Sequence, residues 1–284
     1  MNKFQVSGFK FQVSVSGRWT LNVGCCTLLL LLLPSLASAI PWSERVGKLS
    51  SKELSPEDIT LLSSDEYRDK RNKLTMRRIK PSDSGTDWDT DPTAIPFMLY
   101  QVNKRTDLPI YVNNDGLDLS TDDIFEHMIV YLTAHHAWSL NEKETENLGK
   151  WLKRGGTLLL DDCYNKGSPF TDSVQPEVGK MIPDAEATIL IWGDKKVAKV
   201  FNMVYKNEWP GSSLEYMRSW QYFMLDDRAA VFFTPNDDGC GWEISTPPTA
   251  SNPIGEGIGH GGDNLQREQF YQWITNWMMW VYSH

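Results

Sequence analysis

The chain has 284 residues, enough for one or two domains with a sizeable core, and sets 28 Lys+Arg against 37 Asp+Glu for a net charge of −9. That acidity argues against a nucleic-acid binder, which needs a basic footprint.

The amino terminus reads as a secretory signal. Lys3, Lys10 and Arg18 precede an apolar run from Thr27 to Leu33, closed by Pro34 and Ala37-Ser38-Ala39. Cleavage after Ala39 makes Ile40 the new terminus and sends the protein to the periplasm or the medium. The run is short for a bilayer and its flank is polar, so no stable membrane span is expected after cleavage. Cleavage takes three of the 28 cations and no anion, leaving 25 against 37 and a net of −12. Cys25 and Cys26 leave with it, so the mature chain keeps Cys163 and Cys240, and export permits them to pair.

Residues 40–87 form a polar lead-in with one helix, where Ser55 is the N-cap and Pro56 the first helical residue. Asp87, Asp89 and Asp91 alternate as in a calcium loop. The central glycine is missing, however, and Met98 stands where the closing carboxylate belongs, so the stretch reads as an acidic loop held by Trp88. Ordered α/β signals begin at Ile95. Phe97–Val102 fits helix or strand, Pro109–Val112 reads as a strand, and Asn113–Gly116 as the turn after it.

Met128–Leu132 is a buried strand that delivers His135 and His136 into a loop. Ser139 and Glu142 form a capping box opening a helix whose apolar face is Leu148, Trp151 and Leu152, and Gly155-Gly156 stops it. A second buried strand, Thr157–Leu160, runs straight into Asp161, Asp162 and Cys163. Strand, helix and strand in this order predict parallel pairing with a right-handed crossover. Both strands would then release their loops at one edge of the sheet, where open α/β folds place binding crevices.

Past Cys163 a short helix ends near Pro183, and Thr188–Trp192 reads as another strand. A polar connection then leads to the core strand Ala229–Phe233 and a third loaded loop, Thr234–Glu243. Residues 245–263 read as a glycine-rich lid or connector. From Gln266 the spacing of Phe270, Trp273, Ile274, Trp277, Trp280 and Val281 predicts a core-packing helix.

Three of these segments carry a resemblance. Leu132-Thr-Ala-His-His136, Leu152-Lys-Arg-Gly-Gly-Thr-Leu-Leu-Leu-Asp-Asp-Cys163 and Thr234-Pro-Asn-Asp-Asp-Gly-Cys-Gly-Trp-Glu243 resemble the bacterial family called domain of unknown function 4159. The likeness runs from about Trp88 to the carboxyl terminus. It implies a domain over 88–284 resembling class I glutamine amidotransferases, a flavodoxin-like three-layer sandwich with a mostly parallel central sheet. It also implies an exported or membrane-attached protein of the cell envelope. His135, Asp161, Asp162, Cys163, Asn236, Asp237, Cys240, Trp242 and Glu243 match the family's motifs. His136 replaces a glycine, and Asp194-Lys195-Lys196 stands where the family has Asp-His-Pro.

The rim of His135, His136, Asp161, Asp162, Asn236, Asp237, Trp242 and Glu243 admits several chemistries. Cys163 could act as a nucleophile with His135 or His260, but Asp162 beside it opposes a thiolate. The histidines, carboxylates and cysteines offer a mixed donor set that zinc accepts, although no short-spaced ligand pair fixes its geometry. Cys163 and Cys240 could instead form a disulfide, contributing about 4 kcal/mol in the chain-entropy model. The expected function is a non-catalytic envelope module that binds a ligand or partner, with Trp242 and the carboxylates suited to carbohydrate or peptide. The alternative is a metal-assisted hydrolase on the same rim. No cofactor is identified by any motif.

Overall fold

The computed structural model describes residues 73–83, 85–164, 168–190, 218–246, 248–257 and 263–284, with the backbone of two short antiparallel strands at Gln5–Val6 and Phe9–Lys10. The cleavage site, the helix opened by Ser55, the segment Asp194–Lys196 and His260 lie outside the described residues, as does Trp192 at the end of the expected strand.

A seven-stranded, mostly parallel sheet is accompanied by five α-helices among the described residues. The strands are β1 (Arg77–Lys80), β2 (Leu117–Asp118), β3 (Ile129–Ala134), β4 (Thr157–Asp162), β5 (Ala187–Ile189), β6 (Gln221–Leu225) and β7 (Arg228–Thr234). The helices are α1 (Ala94–Thr106), α2 (Glu142–Lys153), α3 (Pro169–Met181), α4 (Asp238–Trp242) and α5 (Asn264–Val281). Strand order is β2-β1-β3-β4-β7-β6-β5; pairs from β2 to β7 are parallel, and the β5/β6 and β6/β7 pairs are antiparallel.

The strands' alternating residues divide the core in two. Ile129, Tyr131, Leu159 and Phe232 join the apolar faces of α1 and α5 in one cluster. Val130, Leu132, Leu158, Leu160 and Phe233 join α2 and α3 in the other. A sheet clothed on both faces explains why β3 and β4 read as continuous apolar runs rather than alternating ones. The terminal helix seats Trp273 and Trp277 edge-on against Trp220, with ring centroids 5.4 and 6.0 Å away. Tyr282, just past α5, donates its hydroxyl to Thr75 O (3.1 Å) and accepts from Thr75 N (2.8 Å), fastening the last helix to the start of the sheet. Among the described residues no helix is long and apolar enough to cross a membrane.

Several elements differ from expectation. The sheet starts before Trp88, at β1, whose Arg-Arg-Ile-Lys composition hides it. Arg77 and Arg78 are buried, and β1 is feasible because backbone carbonyls receive both guanidinium groups. Phe97–Val102 is helical. Pro109–Val112 forms only an isolated bridge, Leu74 to Ile110, since Pro109 has no N–H to offer a ladder. The capping box of α2 sits two residues later than read, at Asn141 and Glu144. Ser139 is engaged elsewhere, its hydroxyl donating to Asp83 Oδ2 at 2.8 Å. The polar connection conceals β6, joined to β7 by a two-residue turn with Asp226 at φ 55°.

Candidate functional site

Register decides which loops meet. Ala134 pairs with Asp162 and Thr133 with Asp161 across β3/β4, while Asp161 pairs with Thr234 across β4/β7. The three loaded loops therefore leave from one edge of the sheet, as the βαβ reading requires. A fourth segment joins them. The loop after β1 folds across the strand ends, held by Arg78, which donates to the carbonyls of Trp88 (2.9 Å), Thr90 and Asp91 (2.8 Å). The same guanidinium lies 5.7 Å from the centre of the Tyr131 ring.

This covering loop contributes two aspartates. Asp87 Oδ1 accepts from the backbone N–H of His135 (3.0 Å) and His136 (3.3 Å), and Oδ2 lies 2.6 Å from His135 Nδ1. Burial works to raise the Asp87 pKa, but the bonds from His135 outweigh it and hold the carboxyl below its ordinary range. Beyond the imidazole, His135 Nε2 stands 3.3 Å from Cys163 Sγ. Asp91 reaches deeper: its Oδ1 is 3.3 Å from Cys240 Sγ and 3.8 Å from Cys163 Sγ. The two sulfurs are unbonded, 3.9 Å apart.

Asp237 completes the cluster. One ligand atom each from Asp91, Cys163, Asp237 and Cys240 lies within 4.8 Å of every other, and all four residues are buried. Asp161 supports this loop from beneath, accepting from Tyr131 Oη (2.8 Å) and from the backbone N–H of Gly239 (2.6 Å) and Asp238 (3.1 Å). The approach is so close that a Cβ on Gly239 would meet Asp91 Oδ2 at 2.5 Å and Tyr131 Oη at 2.7 Å.

So many acidic groups in one dry place disturb one another. Burial, then repulsion from Asp237, drives the Asp161 pKa well up, and burial with Asp161 does the same to Asp238. Burial and Asp91 raise Glu243 to about 8. A hydrogen bond with Cys240 pulls the Cys163 thiol down, yet burial and the charges of Asp91, Asp237 and Asp161 prevail and push it to about 12. Cys240 is driven up by its bond with Cys163 and by burial. These values bear on the array Asp87–His135–Cys163, which has the connectivity of a catalytic triad. A nucleophilic cysteine needs an electropositive, partly open surrounding, whereas Cys163 is 7% exposed among carboxylates. The array is poorly suited to thiol attack.

The remaining rim residues are placed as follows. His136 is exposed and His135 half-buried, whereas Asp161, Asp162, Asn236, Asp237, Trp242 and Glu243 are buried. Asp162 turns to the start of α3, accepting from Ser168 Oγ (2.6 Å), Thr171 Oγ1 and the Tyr164 N–H (3.0 Å). Asn236 exchanges two hydrogen bonds with the backbone of Arg218, at 2.8 and 2.7 Å. Glu243 accepts from Thr93 N and Oγ1. Trp242, expected at the surface as a contact for carbohydrate or peptide, is instead fully buried, tilted against Tyr131 with ring centroids 5.6 Å apart. Asp87 and Asp91 were absent from the expected rim. Their alternating spacing is a local signal that reads as an acidic loop held by Trp88, and it does not point to partners more than 40 residues away.

Fold and site together define a mixed α/β protein whose strand-end cluster is roofed by the segment following its first sheet strand. The chain belongs to the family described as a domain of unknown function (DUF4159), whose model matches residues 75–282. No curated protein matches the chain.

Proposed function

We propose that this chain is an exported cell-envelope module, released to the periplasm or medium by cleavage after Ala39, that binds a ligand or envelope partner without catalysing a reaction. Its architecture is proposed to be the flavodoxin-like three-layer sandwich of class I glutamine amidotransferases, which core clusters on both faces of a largely parallel sheet support. The observation carrying the functional reading is the division of labour at the rim. Asp162, Asn236 and Glu243 are engaged by the fold itself. What turns outward is His136 with Tyr164, 66% exposed, beside the half-buried His135 at ring-centroid distances of 6.5 and 6.3 Å. Aromatic and imidazole groups of this kind supply contact area at low entropic cost.

A photo-crosslinking residue placed at position 164 in the native host tests this. A discrete adduct that disappears in His136→Ala supports the reading; absence of any adduct, or one indifferent to His136, opposes it. The metal-assisted hydrolase keeps one specific observation, the Asp87–His135 pair, whose imidazole is 38% exposed and could serve as a general base. Turnover of ester or phosphoester substrates that His135→Ala abolishes would favour it.

A further inference from the structure

We infer that Asp91, Cys163, Asp237 and Cys240 form a closed site for one borderline-soft divalent cation of the zinc class, whatever the rim outside it binds. The sulfur separation is the first argument. A disulfide requires about 2.05 Å, whereas two thiolates each about 2.3 Å from a tetrahedral zinc stand about 3.8 Å apart. The observed separation is 3.9 Å. A carboxylate oxygen about 2.0–2.2 Å from the same ion would lie about 3.5 Å from each sulfur. Asp91 Oδ1 lies at 3.3 and 3.8 Å.

The second argument is an orphaned acceptor. Asp91 is 5% exposed, and its Oδ2 has no hydrogen-bond partner among the described residues. A buried carboxylate with an oxygen left without a donor is costly, and a dication on Oδ1 would neutralise the charge that the two oxygens share. The third is charge. Asp161, Asp238 and Glu243 are buried around the four, with Asp161 accepting from the backbone N–H groups of Asp238 and Gly239 in the loop that carries Asp237 and Cys240. Nearby Arg78 donates to backbone carbonyls rather than to these carboxylates. A dication would offset the buried carboxylate charge and would be bound by the cysteines as thiolates.

Two thiolates select against calcium and magnesium, which take oxygen ligands. Four protein ligands, all buried, describe a structural site rather than one open to water. His135 then has a defined place outside the four, its Nε2 against the Cys163 sulfur and its Nδ1 held by Asp87, the outer contact that orients a ligating atom.

The test is cobalt substitution in the reduced, tag-free mature chain. One cobalt per chain is expected, with the intense near-ultraviolet and visible bands of tetrahedral cobalt thiolate, displaced by zinc. Cys163→Ser and Cys240→Ser should weaken the thiolate band, the double variant should abolish it, and Asp91→Asn should lower affinity at least tenfold while both thiols remain. Glu146→Ala, on the exposed side of α2, should bind as wild type. Zinc should also raise the melting temperature of wild type but not of the double variant, which needs only the folded metal-free state. The inference is overturned if the folded, reduced protein gives no cobalt–thiolate band. Bands that survive loss of both cysteines, or an affinity indifferent to Asp91, overturn it equally. None of these outcomes bears on the crosslink at position 164.

Discussion

Replacing Glu243 with Gln should change how stability responds to pH. Glu243 is buried beneath the covering loop, and burial with repulsion from Asp91 lifts its carboxyl from 4.5 to about 8. Between those two values the folded chain holds a proton that the unfolded chain has released. The contribution of this group is therefore fully present below pH 4.5 and is lost as pH rises towards the folded value. At about 1.4 kcal/mol per pH unit, the wild-type protein loses about 5 kcal/mol from this group across the window. Gln keeps the oxygen that Thr93 N and Oγ1 address at 3.4 and 3.2 Å and does not titrate. Urea denaturation in the presence of chelator, repeated from about pH 5 to about pH 8, reads the difference. The variant should nearly match wild type at the acid end and exceed it by several kcal/mol at the alkaline end. Parallel loss of stability in the two proteins would refute the reasoning, because burial would then not be holding a proton on Glu243.

Adjacent glycines at the end of α2 should fail for different reasons. Gly155 has φ 101° with nothing near its missing Cβ, so Gly155→Ala should cost about 1–2 kcal/mol through the backbone alone. Gly156 instead lies against the buried Trp151 indole, whose Nε1 donates to His127 O at 2.6 Å. Gly156→Ala should cost about 3 kcal/mol or more by displacing that ring. Thermal melting should rank wild type above Gly155→Ala above Gly156→Ala, and a reversed order of the variants would contradict both accounts. Asp162→Ala removes the acceptor of Ser168, the N-cap of α3, and should cost about 2–3 kcal/mol. Hydrogen exchange over Phe170–Val174 should accelerate relative to α2; unchanged protection there would show that Asp162 does not anchor the helix.

What the sequence made readable were the elements whose physics is local. Ile129–Ala134, Glu142–Lys153 and Thr157–Asp162 announce themselves through apolar runs, a capped amphipathic helix and two stop glycines. Parallel register then carried His135 and Cys163 to one edge. α5 was equally readable from its aromatic spacing. β1 was not, because Arg78 is buried through carbonyls supplied by a loop 10–13 residues onward and Arg77 through the carbonyl of Asp115, 38 residues onward. The same limit applied to the site. Asp91 lies 149 positions before Cys240, and no local pattern pairs residues so far apart. Trp242 misled for the opposite reason. Among acids and glycines it resembles a surface residue, yet as the last residue of α4 it is buried against Tyr131.

The distance along the chain between Asp91 and Cys240 also sets a schedule. At roughly 5–20 residues per second of synthesis, Asp91 precedes Cys240 by roughly 7–30 s. Cys163 arrives 77 residues ahead of Cys240, so for part of that interval it exists without the neighbour it will later face. The nascent chain therefore carries Cys163 for roughly 4–15 s before Cys240 is made.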